Sequence, residues 1–246
     1  MTINVFKTEN ELISAIAIYF IKIAQHTIEE KGIFNTALAG GNSPKKFYQM
    51  LSSDEFKNKI DWSKVNFFFG DERYVPADDA ERNSWMVQKY LFEPLNISSS
   101  QILEVDTTLS PEQAAKKYDE TIRTHFKHIP VRFDLMLLGL GDNSHTASLF
   151  PFTPVLAEKS PTVKAVFLKE QNSYRITMTV PLINQSKHIA FLVYGKEKAE
   201  AVYHVLKDVR NPEKYPAQLI NPADGELHWF LDDNAASLLE FESLKF

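Results

Sequence analysis

The spacing of apolar and polar positions changes repeatedly along the chain, and each change predicts an element. Leu12, Ile16, Phe20, Ile23 and Ala24 recur at helical spacing behind Thr8-Glu9-Asn10-Glu11, which has the form of a capping box, and Lys31-Gly32 ends the run. This is an amphipathic helix covering one face of a core. Phe34 to Leu38 reads as a short strand running into Ala39-Gly40-Gly41-Asn42-Ser43-Pro44. There Ser43 is a good N-cap and Pro44 fits the first position of a helix reaching about Leu51. Val65 to Phe69, VNFFF, is a second buried strand. Asn83 to Leu91 reads as a helix, Ile102 to Val105 as a brief strand. Ser110-Pro111-Glu112-Gln113 is another capping box, opening a helix whose inner face carries Ala114, Ala115, Tyr118, Ile122 and Phe126.

Phe133 to Leu140 is the central strand, and Leu135 to Pro151, LMLLGLGDNSHTASLFP, reads as strand, polar turn and helix, with His145 at the helix start. Val163 to Leu168 and Tyr174 to Val180 follow as strands, the second alternating Ile176, Met178 and Val180 against Arg175, Thr177 and Thr179. Ile189 to Tyr194 is an apolar strand ending at Gly195, and Lys196 to Leu206 is helical. Trp229 to Leu231 and Ala235 to Leu239 read as a last strand and helix. Strands alternating with helices predict an α/β fold: a doubly wound, mainly parallel sheet flanked by helices on both faces, with a few added antiparallel strands around residues 163 to 180.

Composition narrows this picture. The 246 residues are 44% hydrophobic and 24% charged, without a Pro/Gly/Ser-rich linker or internal repeat, so one domain over residues 1–246 is expected. A net charge of -5 without a concentrated Lys/Arg stripe argues against nucleic acid as a partner. The absence of cysteine excludes disulfides, thiolate metal sites and cysteine nucleophiles. His125 and His128 lack a third ligand nearby in sequence, so they read as surface residues near a helix end, and no metal is expected. The apolar stretch Ile13 to Ile23 is interrupted by Lys22 and preceded by Glu9 and Glu11. It reads as too short for a bilayer and wrongly flanked for a signal peptide, so a cytoplasmic location without a membrane partner is expected. The sequence leaves oligomeric state open.

Candidate chemistry lies at strand ends. Gly40 and Gly41 let backbone approach a ligand, and free N–H groups at the following helix start favour an anion. Gly70-Asp71-Glu72-Arg73 places three charges directly after a buried strand, where a solvated loop and a functional site are both open readings. Lys198 falls in a first helical turn, where the macrodipole disfavours a cation unless an anion offsets it. His145 follows a central strand, at the edge where ligands collect in open parallel sheets.

Taken together, AGGNSP at Ala39 to Pro44, GDERYVP at Gly70 to Pro76 with Asn83 following, and GLGDNSHTASLFP at Gly139 to Pro151 resemble the 6-phosphogluconolactonase family. That family lies within the group that also holds glucosamine-6-phosphate deaminases and isomerases. RITMTVPLIN at Arg175 to Asn184, GKEKA at Gly195 to Ala199 and WFLD at Trp229 to Asp232 extend the match over nearly the whole chain. The resemblance implies hydrolysis of 6-phospho-D-glucono-1,5-lactone without metal or organic cofactor, the ligand being a small sugar phosphate. It implies that Gly41, Asn42, Ser43, Arg175 and Lys198 hold the phosphate, that Asp71 and Arg73 line the sugar end, and that His145 is the general base. The oxyanion falls to Arg73 or to backbone N–H groups.

Two departures bear on this. Asn42-Ser43 stands where the family usually has serine then threonine, and these side chains still donate hydrogen bonds. Asn143-Ser144-His145 stands where the family commonly reads Asp-Gly-His, so Asn143 orients the imidazole without supplying charge, which a carboxylate such as Asp142 would have to provide. Ser144 implies either that the turn does not require a glycine-only conformation or that it differs locally. Two alternatives follow. A glucosamine-6-phosphate deaminase or isomerase would have an acid in a Glu-Pro ending after the histidine, where this chain has Leu149-Phe150-Pro151. A catalytically impaired sugar-phosphate binding protein would retain the phosphate contacts.

Overall fold

The computed structural model describes residues 1–127 and 130–239. Strand β1 (Thr2–Phe6) leads into α1 (Glu9–Lys31), whose Thr8 and Glu11 form the expected capping box and whose end is set by left-handed Gly32. Next come β2 (Phe34–Leu38), α2 (Asn42–Leu51), β3 (Val65–Phe69), β4 (Asp71–Arg73), α3 (Asn83–Val87), α4 (Glu93–Leu95) and α5 (Pro111–His125). The remainder holds β5 (Leu135–Leu138), β6 (Val163–Leu168), β7 (Ser173–Met178), α6 (Val180–Ile183), β8 (His188–Val193), α7 (Ala199–Leu206) and β9 (Glu226–Asp232). Six strands pair in the order β1-β9-β8-β5-β2-β3, all parallel, and β4, β7 and β6 form a small antiparallel sheet.

Both faces of the large sheet are covered, as the pattern of apolar strand residues requires. Phe34, Leu38, Phe67, Phe69, Leu135 and Leu137 pack with α1, α2 and α3 on one side. Ala37, Phe68, Met136, Leu138, Phe191 and Trp229 pack with α5, α7 and the small sheet on the other. α1 spans 23 residues, longer than the apolar core of its sequence suggests, and by length and composition it could cross a membrane. Leu12, Ile13, Ile16, Ala17, Phe20 and Ala24 are instead buried in the first of these cores.

Several boundaries differ from the sequence reading. Ser43 is not the N-cap of α2: Gly41, at φ 92, turns the chain two residues earlier and no side chain caps the helix. The helix from Asn83 passes into a π turn over Gln88–Phe92, because Pro94 has no N–H to give the Tyr90 carbonyl, which accepts from Ser52 Oγ instead. Ile102 to Val105 makes only a single bridge, to Phe67, before the chain departs and Arg82 takes the Val105 carbonyl. No helix directly follows β5 at His145, since left-handed Ser144 and Ala147 break any helical run there. Ala235 to Leu239 forms turns anchored on Asp232 rather than a helix. His125 does end a helix, as the last residue of α5, but it is half-buried: its Nε2 donates to Asn35 Oδ1, 2.9 Å away, and its ring packs edge-on against Phe68. His128 lies outside the described residues. Among those described, no cluster of three metal-ligating side chains occurs.

Candidate active site

Strand order locates the site. From β2 the chain winds outward to β3, whereas from β5 it winds the opposite way to β8 and β9. The loops leaving β2 and β5 therefore part, opening a crevice at a topological switch point. A cavity of about 450 Å3 lies there, walled by Gly41, Asn42, Ser43, Asp71, Arg73, His145 and Lys198 among others. Seven of the nine sequence-derived candidates thus share one cavity; Asn143 and Arg175 do not line it.

α2 starts this cavity with uncapped N–H groups and no acidic residue in its first turn. Gly41 has φ 92 and ψ -177, a backbone conformation open in practice only to glycine, and it aims the helix N-terminus into the crevice. Tyr194 braces the turn by donating its hydroxyl to the Ser43 carbonyl at 3.3 Å. Lys198 reaches the same mouth from the segment after β8 and pairs with Asp142 at 2.5 Å. Arg73 and Arg175 are register partners on antiparallel β4 and β7. Arg73 bonds the Glu81 carbonyl, and Arg175 is turned toward Gln171 and Ser173. Burial, and then the proximity of Arg73, lowers the pKa of Arg175. Arg73, Lys198 and a helix N-terminus line one cavity in a chain of net charge -5, with Arg175 next to Arg73 on the paired strand, an arrangement that an anion would relieve.

His145 sits on the loop after β5. Asn143 Oδ1 lies 2.6 Å from its Nδ1 and also accepts the His145 backbone N–H at 3.3 Å. An atom accepting from backbone is the amide oxygen, so Nδ1 carries the proton and Nε2 is left to receive one. Gly141 borders the ring so closely that a Cβ there would fall 2.0 Å from Nδ1. Burial, with Lys198 next, pushes the His145 pKa down to about 4. The turn keeps left-handed geometry at Ser144, with φ 62, so serine here adopts a conformation allowed to glycine but also accessible to other residues.

Asp71 is held by two residues that sequence reasoning did not assign. Ser148 Oγ donates to its Oδ2 at 2.6 Å, and Asn83 Nδ2 donates to its carbonyl at 2.8 Å. Burial raises its pKa. Glu72 points the other way, fully buried, and accepts the backbone N–H groups of Arg73, Asn83 and Ser84. The alternation along a strand gave the signal: Asp71 and Arg73 share one face and Glu72 takes the other. Ser148 gave none, because its place depends on the turn that replaced the expected helix.

Known proteins share the sequence pattern and the fold. Residues 7–229 match the model for glucosamine-6-phosphate isomerases/6-phosphogluconolactonase. A 6-phosphogluconolactonase of Synechocystis is 38% identical over 217 residues, covering 86% of this chain and 87% of the relative; one of Nostoc is 34% identical, covering 97% and 98%. The crystal structure of 6-phosphogluconolactonase from Thermotoga maritima superposes with a TM-score of 0.82 at 28% identity, covering 94% of this chain and 99% of that one. A monomeric glucosamine-6-phosphate deaminase, at 24% identity and TM-score 0.82 over 97% of this chain and 100% of its own, shares the fold. The chain belongs to the glucosamine-6-phosphate isomerase/6-phosphogluconolactonase family.

Proposed function

We propose that the chain is a 6-phosphogluconolactonase, hydrolysing 6-phospho-D-glucono-1,5-lactone to 6-phospho-D-gluconate in the oxidative pentose phosphate pathway. Family membership and the lactonases among its relatives support the reaction. The observation that carries the chemistry is the His145 imidazole, its Nδ1–H fixed by Asn143, in the same cavity as the uncapped start of α2.

The phosphate is assigned to Gly41, Asn42 and Ser43 at the α2 N-terminus together with Lys198 and Arg175, which fixes the distance from phosphate to lactone. His145 Nε2 removes a proton from water as its oxygen attacks C1. The carbonyl electrons move to the carbonyl oxygen, and Arg73 or a backbone N–H stabilises that charge. Collapse of the tetrahedral intermediate breaks the bond from C1 to the ring oxygen, and the imidazolium returns its proton to that oxygen. Asp71 accepts hydrogen bonds from sugar hydroxyls, its carboxylate held in place by Ser148. These proton and acyl transfers are complete with water and the named side chains.

The deaminase reading requires an acid after the histidine, and the corresponding position is Phe150, an apolar ring packed on the imidazole. The test is turnover of freshly generated lactone near pH 7 with the spontaneous rate subtracted, run beside ammonia release from glucosamine 6-phosphate. Lactone turnover without ammonia is expected. Ammonia release would overturn the assignment, as would lactone turnover no faster than background. In the second case, retained binding of 6-phosphogluconate would identify a binding protein.

A further inference from the structure

The His145 imidazole is confined more tightly than proton abstraction alone requires. Asn143 holds Nδ1, Gly141 closes one side, and the Phe150 ring covers the imidazole itself, with ring centroids 4.0 Å apart and planes inclined by 18°. The charged groups acting on this ring are Lys198 from the segment after β8, Arg73 from β4, Arg175 from β7 and Asp142 from its own loop. Three of those four are cations, and the one anion, Asp142, is paired with Lys198. A proton arriving at Nε2 therefore creates a cation among cations. The face of an aromatic ring carries partial negative charge and attracts a cation within about 6 Å of its centroid.

We propose that Phe150 is a positioning residue for His145, its aromatic face fixing the imidazole plane and stabilising the imidazolium that forms when water is deprotonated. The first half stands on geometry alone, and the second rests on the lactonase reading. Asn143 supplies no charge for this purpose, so the π face is the group stacked on the ring that favours its protonated form without competing for its proton. Such a role requires an aromatic side chain, whereas a packing role requires only volume. Phe150→Leu keeps the apolar volume and removes the π face; Phe150→Tyr keeps both.

Two readouts on the whole protein separate the cases: NMR titration of the His145 ring, assigned by its loss in His145→Ala, and kcat and KM for the lactone across pH. Phe150→Leu is expected to lower the His145 pKa by about half a unit, the shift that a weak cation–π contact supports. It is also expected to lower kcat by roughly 3- to 10-fold with little change in KM, as loss of ring orientation would. Phe150→Tyr is expected to behave like the native protein in both. Native-like titration and turnover in the leucine variant would overturn the proposal, as would an equal loss in the tyrosine variant. Should the leucine variant not fold, Phe150→Met is read by the same criteria. The titration needs no substrate. A shifted pKa in a protein without lactone turnover therefore supports the stacking role and refutes the substrate assignment, whereas native titration with intact turnover does the reverse.

Discussion

At the scale of single residues, catalysis turns on how the environment of His145 sets its basicity. Burial, and then the Lys198 charge, holds its pKa near about 4, so the imidazole is neutral and ready to accept a proton throughout the neutral range. Protonation removes that capacity, so kcat/KM is expected to stay level from neutral pH downward and fall only as pH passes through about 4, read from background-corrected lactone hydrolysis. The low pKa also makes the base weak. Asn143→Asp places a carboxylate 2.6 Å from Nδ1 in place of a neutral amide, which favours the imidazolium. The acid limb should move to higher pH and the plateau rate should rise. An unchanged limb would show that the side chain at position 143 does not govern the imidazole charge. His145 itself was legible in sequence from its place after an apolar strand. Its stacking on Phe150 was not, because that contact depends on a turn built from left-handed Ser144 and Ala147, which no periodicity encodes.

At the scale of elements, the site is assembled by loops that leave neighbouring strands in opposite directions, and buried polar contacts hold those loops. Glu72, with no exposed surface, accepts three backbone N–H groups across β4 and the start of α3, and Arg82 lies 3.8 Å away. Glu72→Ala would leave those donors unpaired and remove a fully buried carboxylate from beside the Arg82 guanidinium, which keeps Glu104 at 3.4 Å. A loss of about 3–5 kcal/mol is expected, seen as a fall in Tm of roughly 10 °C for a chain of this size. Gly41→Ala forces a side chain into the conformation at φ 92, and a cost of about 1–3 kcal/mol is expected, together with a KM for the lactone that rises more than kcat falls. Most strands, α1 and α5 were readable because period and capping boxes agree; β1 and β4 were not read as strands, β4 because its three residues are all charged. The start of α2 was misplaced because a glycine turn can set a helix boundary ahead of a good capping residue. Ile102 to Val105 was misread because a single pairing contact and a guanidinium, rather than a ladder, satisfy that segment.

At the scale of the whole molecule, an acidic chain places Arg73, Lys198 and a helix N-terminus around one crevice, with Arg175 beside Arg73 on the paired strand. Local attraction of a phosphorylated ligand should be screened by salt, so KM is expected to rise several-fold between about 0.01 and 0.5 M ionic strength while kcat holds. A salt-independent KM would contradict the assignment of those groups to the phosphate. The parallel fold and the ordered motifs were legible because helix and strand signals alternate along the chain. The arrangement of the crevice was not, because strand order across the sheet is set by packing on both faces. The most direct measurement compares native protein with His145→Ala for lactone turnover near pH 7 and for 6-phosphogluconate binding by calorimetry. A loss of about 10²–10⁴-fold in kcat with affinity nearly unchanged is predicted, the range for removal of a general base. A variant that turns over lactone at the native rate would contradict the assignment of His145 as that base.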